Sequence, residues 1–395
     1  MLKTTPFHAR TAPLCLSHAW RRWAGYIVAS SYDLSHEREY HAIRSSAALF
    51  DVSPLYKYLV WGKDAARLLD RVMTRHITRS AVGQVLYTTW CDAAGKVLDD
   101  GTIARLNEDT FRVTSADANL RWLEDNAVGH EVAIDDVSES TAALALQGPA
   151  SREILQTLTD TDLSDLKYFR ITAAKLRGSS VTISRTGYTG DLGYEIWIDV
   201  EHALVLWDAL IEAGTPYGIT PAGMLALDVA RIEAGLMLGD VDYIPARKAL
   251  IESQKSSPFE LDLGWTVNLE KEHFVGKNSL AQEARRGPQW QFVGLDLEWD
   301  ALERLYAEVG LAPRLPAAAW RASVPVYAGR EQVGYATSGG WSPLLKQYIA
   351  LGHVRSRWAA PGTRVEMEIT VEHRRRRAAA RIVKKPFFNP ERKRA

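Results

Sequence analysis

The chain has 395 residues, 46% hydrophobic and 24% charged, enough for two or three domains with cores of their own. Lys+Arg and Asp+Glu balance at 48 each, so no global field favours nucleic acid or an acidic membrane surface, and partners must be sought at sites. Cys15 and Cys91 fit no disulfide framework or metal spacing, no apolar run reaches transmembrane length, and a cytoplasmic protein without a signal peptide is expected.

In chain order, EYHAIRSSAALFD has helical spacing through Ala42, Ile43, Ala47 and Leu49/Phe50. KYLVWG reads as a short strand and GKDAARLLDRVMT as a second amphipathic helix. TAALALQGPASREILQTL is a buried strand running into a helix, with Pro149 near the first helical position. LDLGWTVNL alternates strictly and predicts a strand with Leu263, Trp265, Val267 and Leu269 on one face. From about Gln291 the chain turns strand-rich, predicting a separate β-barrel or sandwich within an α+β protein. The closing HRRRRAAARIVKKPFFNPERKRA predicts a solvated edge strand and a frayed tail.

The stretch SRTGYTGDLGYEIWI carries glycines at 187, 190 and 193, but neither a dinucleotide nor a phosphate-loop spacing. Beyond it, period-two alternation sets Tyr194, Ile196 and Ile198 on one strand face, with Glu195 and Trp197 on the other. A carboxylate beside the rings of Tyr188 and Trp197 can accept paired donors from a flat heterocycle, such as a pterin or a guanine. Taken alone, the same residues also read as a solvent-facing glutamate after a tight turn.

This glycine block resembles the signature of the aminomethyltransferase family, the T-protein of glycine cleavage and its tetrahydrofolate-dependent relatives. The resemblance continues in order through LFDVS, YTTWCDAAGKVLDDG, LALQGPAS, PAGMLALDVARIEAGL, FVGKNSL, TSGGWSPLLKQYIALGHV and VKKPFF, across nearly the whole chain. It implies a three-domain cloverleaf with a central folate channel and a C-terminal β-barrel. The implied domains are residues 1–50 with 140–245, residues 51–139 with roughly 255–285, and residues 286–395. By the matching blocks Asp100 takes the catalytic position, and Tyr87, Tyr188, Glu195 and Arg231 match folate-side positions; Ser115 falls where relatives commonly carry a folate-contacting asparagine, and Phe169, by spacing from the glycine loop, where they often place a tyrosine; no metal is implied.

The departures bear on the donor. DVSPLY replaces the usual DVSH followed by Met-Gly, Leu227 stands where relatives carry an arginine, GDLGY resembles the demethylating relatives, and DLEWDALERLYAEVGLAPRLPAAAWRAS lengthens the C-terminal domain. The reading tilts toward a tetrahydrofolate-dependent transferase acting on a small methylated donor. The alternatives are an aminomethyltransferase served by a lipoylated carrier protein, and a non-catalytic folate-binding protein. Neither a nucleic acid nor a membrane is expected as partner.

Overall fold

The computed structural model, which describes residues 2–394, holds two larger open sheets of six and five strands, a small three-stranded sheet and a closed barrel. The first sheet has six strands in the order Ile171–Leu176, Ser179–Ser184, Gly193–Asp199, Thr141–Gln147, Ala48–Asp51 and Thr220–Pro221. One face packs Leu144, Leu146, Tyr194, Ile196 and Ile198 against residues of helices Ser151–Gln156 and Ala203–Gly214. Ala143, Ala145 and Trp197, on the opposite face, meet helices Glu37–Ser45 and Met224–Glu233.

The second sheet runs Val85–Cys91, Val97–Arg105, Thr110–Ser115, Tyr56–Trp61 and Ala133–Asp136, antiparallel throughout. Tyr58, Trp90, Ile103, Phe111 and Val113 form its buried face, covered by helices Ala65–Val72 and Leu120–Ala127. The other face is polar, and it points toward the first sheet: Arg112 from the second sheet lies over the Trp197 ring of the first at 4.2 Å.

The barrel closes through Trp290–Leu297, Gln347–Arg355, Glu331–Ser342, Val324–Ala328, Arg364–Val371 and Arg374–Val383. The basic strand Arg374–Val383 is therefore not an edge: it pairs on both sides. Nor does the segment after it fray. Arg392 grips Asp191 at 2.6 and 2.9 Å, and the Phe388 N–H donates to Glu233 O at 2.8 Å. Counter-charges on another part of the molecule, invisible to local composition, hold it down.

Two further expectations are corrected. The helical spacing over EYHAIRSSAALFD ends at Ser45, and Ala48–Asp51 is a strand inside the first sheet. A short apolar run buried on both faces has no period that separates helix from strand. LDLGWTVNL forms no strand; Asp262 turns left-handed at φ +60° and Gly264–Thr266 is a 3-10 turn. Its alternation reflects uneven burial, with Leu263 covered and Trp265 61% exposed.

Candidate active site

Strand pairing decides which side chains share a face. Asp100 pairs with Thr89 and Thr102 with Tyr87, so Asp100, Tyr87 and Thr102 emerge on the polar face of the second sheet. Thr114, paired with Thr102, and Arg112, paired with Ala104, join them. The Tyr87 hydroxyl donates to Asp100 Oδ2 at 2.7 Å, and the Tyr243 hydroxyl donates to Oδ1 at 2.5 Å. Burial raises the Asp100 pKa above the ordinary carboxylate range, while the two phenols pull it down.

Asp99, one residue back, faces the other way into the sheet's covered side. It accepts the Asp100 backbone N–H at 2.9 Å and the Asn119 amide at 2.8 Å. Burial, reinforced by the charge of Asp100, pushes the Asp99 carboxyl up to about 7.

Across the gap, Glu195 and Trp197 project from the facing sheet, as the alternation predicted. Glu195 accepts a hydrogen bond from Thr186 Oγ1, in the glycine loop, at 2.5 Å. Burial raises its pKa, opposed by Thr186 and by the charge of Arg112. Arg112 itself is lowered to about 10 by burial, with Glu195 opposing. The glycines serve this assembly. A side chain at Gly187 or Gly193 would strike Gln147, which binds Thr186 O and the Thr189 hydroxyl at 3.2 and 2.8 Å. Gly190 supplies a turn at φ +75°.

Asp100, Tyr87, Tyr188 and Glu195 are each partly accessible. The Tyr188 hydroxyl donates to Met237 O; burial raises its pKa, with the charges of Asp242, Asp100 and Asp228 adding to the shift and Arg231 opposing it. Phe169 adopts a left-handed backbone at φ +59° and meets Tyr168 edge-on at 4.6 Å. Tyr168 in turn lies within electrostatic range of Glu195. Two implied contacts sit apart. Ser115 emerges on the Asp99 side, donating to Asp117 O at 2.8 Å and accepting from Asn119 at 3.1 Å. Arg231, 1% exposed, is committed to Asp242 and Asp228.

Sequence reasoning missed Tyr243, Arg112 and Asp99. Tyr243 lies in an irregular segment with no motif. Arg112 had a usable signal, since it alternates with Phe111 and Val113 and so had to leave the apolar face. The site passes a test of fit for a flat heterocycle. Glu195 offers an acceptor, Arg112 Nε and Trp197 Nε1 are buried donors without hydrogen-bond partners among the described residues, and the guanidinium of Arg112 lies over the Trp197 ring.

Comparison with known proteins bears on this geometry. Residues 7–271 match the GCVT N-terminal domain, and residues 308–389 match the glycine cleavage T-protein C-terminal barrel domain. The chain belongs to the glycine cleavage T-protein family. An aminomethyltransferase from Halothermothrix orenii is 34% identical over 356 residues, covering 89% of this chain and 90% of the relative. One from Caldanaerobacter subterraneus subsp. tengcongensis is 35% identical over 355 residues, covering 89% and 87%. The crystal structure of glycine cleavage system aminomethyltransferase T from Bartonella henselae superposes with a TM-score of 0.82 at 25% identity, covering 98% of this chain and 99% of that one. As a T-protein family member the chain is a transferase-class enzyme. These relatives favour the aminomethyltransferase reading over the demethylase toward which DVSPLY and GDLGY tilt the sequence.

Proposed function

We propose that this protein is an aminomethyltransferase with tetrahydrofolate as the acceptor substrate and a lipoylated carrier protein as the source of the aminomethyl group. The observation that carries this reading is the pair of carboxylates on facing sheets, Asp100 held by two phenols and Glu195 held by Thr186. Glu195 takes the amino edge of the pterin, with Arg112 and Trp197 as the neighbouring donors and Tyr188, Tyr168 and Phe169 as the surrounding rings. Ser115 and Arg231 support the site from behind: Ser115 braces Asn119 and Asp99, and Arg231 braces the segment that carries Tyr243.

When bound, tetrahydrofolate supplies the nucleophilic nitrogens that accept the carbon, and ammonia and a free thiol are released. Asp100 contributes a fixed negative charge where positive charge develops on the departing amine, and it can hold a proton. Tyr87 and Tyr243 occupy one oxygen each, which fixes the orientation of the carboxylate. Burial around Asp100 raises its pKa, and in such a surrounding the charge acts more strongly than it would in bulk water. Calorimetric titration with tetrahydrofolate tests the acceptor. Saturable binding of one equivalent is expected, and absence of binding overturns the reading.

A further inference from the structure

Two segments remote in sequence converge on Asp228, beside Arg231 of its own helix Met224–Glu233. Arg321, at the end of the C-terminal insert, directs Nε and Nη2 to Asp228 Oδ2 at 2.8 and 2.6 Å. Arg231 Nε lies 3.4 Å from Oδ1, and Arg231 is paired on its other side with Asp242. Arg21, from the N-terminal strand Trp20–Trp23, stays 3.8 Å from Asp228 while its Nε donates to Ser30 Oγ at 3.1 Å. Three guanidiniums thus share the two carboxylates Asp228 and Asp242, and one positive charge is left over.

The surplus lies at an accessible edge. Asp228 and Arg231 side chains are 3% and 1% exposed, whereas Arg21 and Arg321 are 25% and 33% exposed. Arg231 Nη2 is buried without a hydrogen-bond partner among the described residues. Beside the arginines stands an apolar wall. Trp23 shares a strand face with Arg21, and Trp23, Leu55, Tyr188 and Ala319 pack on the cluster that contains Leu227. The DVSPLY segment, the leucine in place of arginine and the insert therefore meet at one place. That place is tied to the Asp100 site by a chain of contacts: Asp228 pairs with Arg231, Arg231 pairs with Asp242, and Tyr243, the next residue, donates to Asp100.

We infer that Arg21 and Arg321 bind the carboxylate of a small donor substrate, whose apolar one-carbon-bearing end rests against Trp23, Leu55 and Tyr188 beside Asp100. Arginine presents a planar fork suited to a carboxylate, and the shared Asp228 orients both side chains in advance. The inference rests on folate-dependent one-carbon transfer and goes beyond the carrier-fed reaction: in the small anion the bond from oxygen or nitrogen to the methyl carbon breaks, a bond from that carbon to a folate nitrogen forms, and the leaving alcohol or amine takes up the proton that the folate nitrogen loses.

The test titrates the protein, saturated with tetrahydrofolate, with methoxyacetate, N,N-dimethylglycine and 4-methoxybenzoate, each paired with the matching alcohol. At least one carboxylate should bind about tenfold or more tighter than its alcohol, as a charge-assisted pair implies. Arg21→Gln and Arg321→Gln should each reduce that preference about fivefold or more and leave tetrahydrofolate affinity unchanged. Wild-type protein that binds tetrahydrofolate but shows no carboxylate preference overturns the inference. So does a preference that survives both substitutions with only the melting temperature lowered, since that is the behaviour of arginines that merely brace Asp228. Failure of wild type to bind tetrahydrofolate instead removes the reading beneath it.

Discussion

The hydroxyl of Tyr243 donates a hydrogen bond to Asp100 Oδ1 at 2.5 Å across 143 residues of sequence. The contact exists because Asp242 anchors the intervening segment: it accepts from Thr337 and Ser338 of the barrel at 2.5 and 2.7 Å, and its carbonyl meets His353 at 2.6 Å. Tyr243→Phe removes one of the two donors that pull the Asp100 pKa down. The acid limb of the pH–rate profile should move to higher pH, and turnover should fall about tenfold, as expected for losing a hydrogen bond to a charged group. An unchanged profile would mean that the phenol has no hold on the reacting carboxylate.

Asp100→Asn keeps the shape and much of the hydrogen bonding but loses the charge. Turnover should drop on the order of a hundredfold or more, with tetrahydrofolate affinity nearly intact. Parallel kinetic and calorimetric measurements separate the two; a residue of purely structural importance would lower stability and leave turnover per folded molecule unaltered.

Glu195→Ala should weaken tetrahydrofolate binding by about one to two decades, as for loss of a partly buried, charge-assisted pair. Its effect should appear mainly in the binding constant. Equal calorimetric affinity of variant and wild type would place the pterin elsewhere.

Asp99 predicts a signature in stability rather than rate. Its pKa rises from 3.8 to about 7 on folding, so the folded state holds the proton more tightly than the unfolded chain. Its contribution therefore falls as pH rises between about 4 and 7. Asp99→Asn removes that linkage, and denaturant titrations across the window should show a slope less negative by up to about 1.4 kcal/mol per pH unit. Parallel pH dependences for variant and wild type would contradict the burial of this carboxylate beside Asp100.

What could be read in advance divides along physical lines. The orientation of Glu195 follows from the period of a strand, and the barrel follows from dense turn signals around alternating residues; both are local properties. Asp100 was reachable through the DDG block, but the face on which Ser115 emerges depends on register with Gly101, which no motif encodes. Tyr243 and the Arg21–Asp228–Arg321 cluster were beyond reach because their partners come from other units of the fold. LDLGWTVNL misled because side chains buried unevenly around turns can imitate a strand's alternation.

The most direct measurement supplies purified protein with tetrahydrofolate and a lipoylated carrier protein loaded with an aminomethyl group, and quantifies the folate product and ammonia together. Methylene-tetrahydrofolate and ammonia in equal amounts, abolished by Asp100→Asn, are the predicted result. Protein that binds tetrahydrofolate yet leaves the loaded carrier untouched, while forming methyl-tetrahydrofolate from a small methylated donor, would contradict the aminomethyltransferase assignment.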